Sequence, residues 1–145
     1  MLSLTIELLP SELQFDDPPQ GHITIRGDYG EIASRGPVIA VPTLCQLLHH
    51  VRKFIVENTN RAELPLGMDS WFEPVLLKEG DCFCFAKTSG EIVSRSDKKE
   101  LVNNILDESQ KFYAHYHPIS PLDQSVAVSL EKAIQAFKDE FVALT

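Results

Sequence analysis

Cys82 and Cys84 stand two apart in the run Cys82-Phe83-Cys84-Phe85. On a strand, both thiols face one side and both phenylalanines the other. A thiol pair suggests half of a metal site. Zinc sites, however, separate paired cysteines by two to four residues so that one tetrahedral ion reaches both. One intervening residue does not match, and small cysteines filling a buried sheet face is the plainer account. Cys45 and His49 lie one helical turn apart. A thiol near a helix N-terminus with a histidine as base has the parts of a nucleophile, but no third, orienting group can be named. His115 and His117 flank Tyr116. On a helix they diverge by about 200°; on extended chain they converge, as a ligand pair could. A cationic histidine near a helix C-terminus also suits the helix dipole.

The carboxylates Asp16, Asp17 and Asp28, with Glu31 nearby, fall in turn-rich sequence. No EF-hand pattern surrounds them. They read as solvated turn residues or as contacts to the basic side chains of a partner. Trp71, at a strand entrance, reads as a core anchor or as an exposed contact residue. The chain contains no Gly-x-Gly-x-x-Gly, Walker, Gly-x-Ser-x-Gly or His-Glu-x-x-His motif. No catalytic residue, metal ligand or cofactor follows from these patterns.

The formal charge is −8 over 145 residues, and six acids against two bases fall in the first 36. Nucleic-acid binding draws on clustered Lys and Arg, and only Arg52-Lys53 and Lys98-Lys99 are adjacent here. A nucleic-acid or anionic-membrane partner is therefore not expected, whereas a basic protein would be steered to this surface. The start of the chain lacks a basic region, and its apolar run ends at Pro10. Three cysteines, an odd number, do not make a disulfide framework. A cytoplasmic protein is expected.

The elements that must position these residues follow from periodicity. Leu4, Ile6 and Leu8 alternate with Thr5 and Glu7, predicting a strand over 4–9; residues 12–15 extend it or pair with it. A hairpin is predicted from strand 22–26, the turn Gly27-Asp28-Tyr29-Gly30, and a return over 31–35. Leu44, Leu47, Leu48, Val51, Phe54 and Ile55 form one helical stripe over 42–58, opened by Pro42. Residues 58–70 read as a loop. A three-stranded meander is predicted over 72–78, 82–87 and 91–94, with Gly80 and Gly90 in its turns. Ser96 or Asp97 caps a second helix, with Glu100 in capping-box position. Pro121 opens a third, whose stripe over 124–144 serves the core or a homodimer. The fold class is thus α+β, with one domain over 1–145: an antiparallel sheet of about five or six short strands against three amphipathic helices, the last two forming a hairpin over the sheet.

In size, acidity and element order, the chain resembles small bacterial immunity proteins of polymorphic-toxin and contact-dependent inhibition systems. The segments carrying the likeness are His22-Ile23-Thr24-Ile25-Arg26-Gly27-Asp28-Tyr29-Gly30-Glu31-Ile32 and 83–94. The likeness is one of layout, so no functional residue carries over. It implies a non-enzymatic, cytosolic protein that occludes a cognate toxin, and a basic nuclease toxin suits an acidic partner. The residues expected to meet such a partner are Asp16, Asp17, Asp28, Tyr29, Glu31 and Trp71. The alternative is a small enzyme or ligand-binding domain with a pocket between sheet and helices, drawing on Cys45, His49, His22 and His115. Reversing Asp16, Asp17 and Asp28 together to lysine is expected to slow association with a basic partner and to flatten its salt dependence. Unchanged stopped-flow association rates exclude those loops.

Overall fold

The alternation at the start of the chain folds as a strand. In the computed structural model, which describes residues 2–9, 20–66, 72–118 and 121–145, β1 spans Ser3–Leu8. It pairs antiparallel with β2, Gln20–Gly27, with Leu4 opposite Ile25 and Ile6 opposite Ile23. β3, Gly30–Ala33, returns on the other side of β2, and the two-residue β4, Val38–Ile39, pairs with the start of β2. Ile23, Ile25 and Ile32 are buried, while His22, Arg26 and Glu31 on the other face are exposed. The period-2 pattern therefore sets which face packs.

α1 spans Ala40–Glu57. It starts two residues before Pro42. The first four N–H groups of a helix have no intrahelical acceptor, so proline in third position still removes no bond. The Thr43 hydroxyl donates to the Ile39 carbonyl at 2.7 Å. The helix ends at Asn58, left-handed at φ 54° and ψ 42°, a conformation that asparagine tolerates.

The second sheet contains β5 (Arg61–Glu63), β6 (Val75–Glu79), β7 (Cys82–Ala86) and β8 (Ile92–Ser96), antiparallel in that order. The last three form the expected meander. β5 lies within the segment read as a loop; three residues are too few to show a period. The register shifts between Phe85 and Ala86. There the Ser94 hydroxyl accepts from the Phe85 N–H at 3.3 Å, so this donor stays paired where the register shifts.

α2 spans Lys98–His115. Its cap is Asp97, which accepts from the Glu100 N–H at 2.8 Å; Ser96 instead closes β8. α3, Pro121–Glu140, opens on its proline and is followed by a 3₁₀ turn over Val142–Leu144. The α+β class, the antiparallel pairing and the three helices are as expected. The strands, however, divide into two four-stranded sheets instead of one sheet of five or six.

The two sheets meet at a close backbone approach. The turn after β2 meets β8 end-on: the Tyr29 N–H donates to the Val93 carbonyl at 3.1 Å. Gly27 lies so close that a Cβ would stand 2.2 Å from that carbonyl oxygen and 2.5 Å from Ser94 Cβ. The hairpin thus covers the edge of β8 that β7 leaves open, without extending its ladder.

The helices form layers over the sheets. α1 packs on β2 and β4, and α2 packs on β1, β7 and β8. α3 lies chiefly along α1 and more lightly along α2, which itself packs on the sheets. The α3 seam Ala127, Leu130, Ile134 and Phe137, with Phe141 just beyond the helix, is buried within the chain. The apolar stripe is therefore consumed by the core. One contiguous cluster joins Ile23, Ile25, Leu47, Phe85, Leu101 and Phe137. Each fully buried side chain of this size contributes roughly 1.5–3 kcal/mol relative to exposure.

Gly27→Ala is expected to destabilise the chain by about 3 kcal/mol in urea unfolding, since neither backbone nor Ser94 can yield cheaply. Gly80→Ala, at φ 61° with open space around it, is expected to cost only about 1 kcal/mol. Equal costs contradict the close approach.

Candidate functional site

The junction of the two sheets gathers several of the residues expected to meet a partner. Tyr29 sits on the β2–β3 turn with its N–H bound to β8 and its side chain 61% exposed. Asp28 beside it is exposed. Glu31 is exposed too, but it is not free for a partner. Its carboxylate accepts from Arg26 Nε at 3.0 Å and from Nη2 at 2.6 Å. An exposed pair of this kind contributes only about 0–1 kcal/mol, so a competing cation can replace Arg26 at small cost. Asp16, Asp17 and Trp71 lie outside the described residues.

Beside the junction, a cavity of about 280 Å³ is lined by Glu31, Ile32, Ala33, Arg35, Glu73, Lys87 and Thr88. Its rim carries both signs. Arg35 stands 3.7 Å from Glu73, and Lys87 stands 3.3 Å from Glu91. Glu73 and Lys87 are brought here by β6 and by the β7–β8 turn; nothing in their sequence surroundings marks them. The floor, Ile32 and Ala33, belongs to β3. The cleft can hold the stem of a long side chain and offer carboxylates to its charged end.

The other candidates disperse. His22 is exposed opposite Glu7 on β2. His115 ends α2, its Nδ1 2.8 Å from the Lys111 carbonyl. His117 is exposed beyond Tyr116, which is buried and stacks on Phe112 with ring centroids 5.6 Å apart. Among the described residues, no group of three or more His, Cys, Asp and Glu is placed to hold a metal ion.

Cys45 and His49 do share a site, a groove of about 130 Å³ between α1 and α3 with Leu48, Arg52, Ala133, Ala136 and Phe137. It lies between helices, not between sheet and helices. Burial pushes the Cys45 thiol up to about 11. The thiol near the start of α1 is thus held protonated, the opposite of what a nucleophile requires. Adjacent His49 and His50 meet edge to face at 5.4 Å, and His50 is shifted down by burial and then by the charges of His49 and Lys53.

No family model, curated protein or solved structure matches this chain. Among the described residues, no helix is long and apolar enough to cross a membrane.

The state of Cys45 separates an inert thiol from a catalytic one. At pH 8, carboxymethylation of Cys45 in the folded chain is expected to run about 100-fold slower than in the urea-unfolded chain and to accelerate as pH rises towards 11. A folded-state rate equal to or above the unfolded one identifies an activated nucleophile.

Proposed function

We propose that this chain is a non-enzymatic protein-binding module whose docking surface is the sheet junction. The observation that supports it most directly is Tyr29, an exposed aromatic ring on a backbone anchored to a second sheet. A contact residue held in place before binding loses little freedom on association, and aromatic residues so presented carry a large share of interface energy. Asp28 precedes Tyr29 in the chain and Glu31 follows two residues on, and Glu31 also lines the cleft with Glu73. The charge of −8 steers a basic partner towards such a surface.

Within this reading, the layout resemblance gives a concrete role: a cytoplasmic immunity protein occluding a basic toxin domain, such as a nuclease. Tyr29 packs on the toxin surface. Asp28, Glu31 and Glu73 receive its Lys and Arg side chains, and the cleft takes one of their stems.

Immobilised wild-type chain, Tyr29→Ala and Asp28→Lys/Glu31→Lys are to be compared as baits on lysate of the source cells. The wild type is expected to retain a basic protein that salt elutes. Tyr29→Ala is expected to bind it about 30-fold more weakly, the loss of a contact worth about 2 kcal/mol, and the charge reversal to lose it. Equal retention by all three baits, or retention insensitive to salt, contradicts the proposal.

A further inference from the structure

The outer face of the second sheet carries a thiol pair that the junction does not use. β7 is the third strand of four, with Phe83 and Phe85 turned into the core. Phe83 meets Phe54 of α1 edge to face at 6.1 Å. Cys82 and Cys84 therefore lie together on the opposite face. Across the ladders, Cys84 pairs with Leu77 on β6 and Arg95 on β8, and Cys82 pairs with Glu79 on β6.

Arg95 and Glu79 stand on strands that flank β7, yet Arg95 Nη1 reaches Glu79 Oε2 at 2.9 Å. Strands are roughly 4.8 Å apart, so this ion pair spans about 10 Å of backbone and must pass over β7. It crosses at the thiols: the same Nη1 lies 3.8 Å from Cys84 Sγ. Cys84 is only 1% exposed, and part of its cover is this movable, solvent-exposed arginine.

We propose that Cys82 and Cys84 form a two-coordinate site for copper(I), enclosed by the Arg95–Glu79 bridge. Soft thiolates select this ion. The spacing that fails for zinc suits it: two parallel sulfurs on one strand face serve a two-coordinate ion, whereas zinc requires about four ligands. No third ligand is gathered there among the described residues. A disulfide is the poorer fit. Residues two apart on a strand have Cα atoms roughly 7 Å apart, at or beyond the usual limit for bridging. An ion between the sulfurs spans more than an S–S bond does.

The loading step balances without redox chemistry. Each thiol releases its proton to solvent as its sulfur–copper bond forms, and copper enters and remains as copper(I). The bis-thiolate unit carries one net negative charge, and the Arg95 guanidinium, 3.8 Å from Cys84 Sγ, lies against it.

The reduced full-length chain is to be titrated anaerobically into the coloured copper(I)–bicinchoninate complex, and loss of its absorbance followed. Wild type and Cys45→Ser are each expected to withdraw one equivalent of copper. Cys82→Ser and Cys82→Ser/Cys84→Ser are expected to withdraw none. Cys82 is only half-buried, so Cys82→Ser reports on the site even where the Cys84 variant folds poorly; circular dichroism checks each fold. The proposal is overturned if the wild type leaves the indicator loaded, if folded Cys82→Ser still takes copper, or if folded Cys45→Ser loses it.

Discussion

The structure depends on the approach of one backbone to another, where Gly27 and Tyr29 of the β2–β3 turn meet Val93 of β8. No side chain fits between Gly27 and the Val93 carbonyl, and the Tyr29 N–H is the donor that this carbonyl receives. Without that contact, the two four-stranded sheets would be joined chiefly by the helices laid over them and by side-chain contacts such as Arg35–Glu73. With it, the open edge of β8 is covered, which removes an edge that could pair with another chain. The same contact turns a hairpin loop into a fixed platform. Tyr29 is exposed because its backbone is held elsewhere.

The helices complete the arrangement from the other side. α1 is buried on a wide face because it lies between the first sheet and α3, and its core residues Leu44, Leu47, Leu48 and Val51 are almost fully enclosed. α3 needs only a narrower seam, with Ala127, Leu130, Ile134 and Phe137 spaced by three and four residues and Phe141 continuing it past the helix end. That spacing is the one at which a helix buries one stripe against neighbouring helices. Surface ion pairs such as Arg26–Glu31 and Arg61–Glu63 are exposed and contribute little to stability. They leave the solvent face charged and exchangeable.

Much of this was legible in the residues. Leu4–Ile6, Ile23–Ile25 and the α1 stripe declare their periods because each buries one face only. The missed strands, β4 and β5, have two and three residues, and no period fits in so few. The meeting of the two sheets was not legible because it rests on Gly27 having no side chain, and Gly27 also satisfies every requirement of an ordinary hairpin turn. Of the expected contact residues, Tyr29, Asp28 and Glu31 fall together at the junction, but the engagement of Glu31 with Arg26 is a cross-strand pairing that depends on register. Glu73 and Lys87 join them only through the second sheet's topology. The thiols of Cys82 and Cys84 share one face, as their spacing on a strand implies. The Arg95–Glu79 bridge over them requires knowing which strands flank β7.

The central claim is that the β2–β3 turn is locked onto β8 and so presents Tyr29 rigidly. Native-state hydrogen exchange at the Tyr29 amide tests this most directly. Its exchange is predicted to be as slow as that of the Phe85 amide in the middle of the second sheet, opening only with the sheets themselves. Exchange at the rate of an unprotected loop amide would contradict the account.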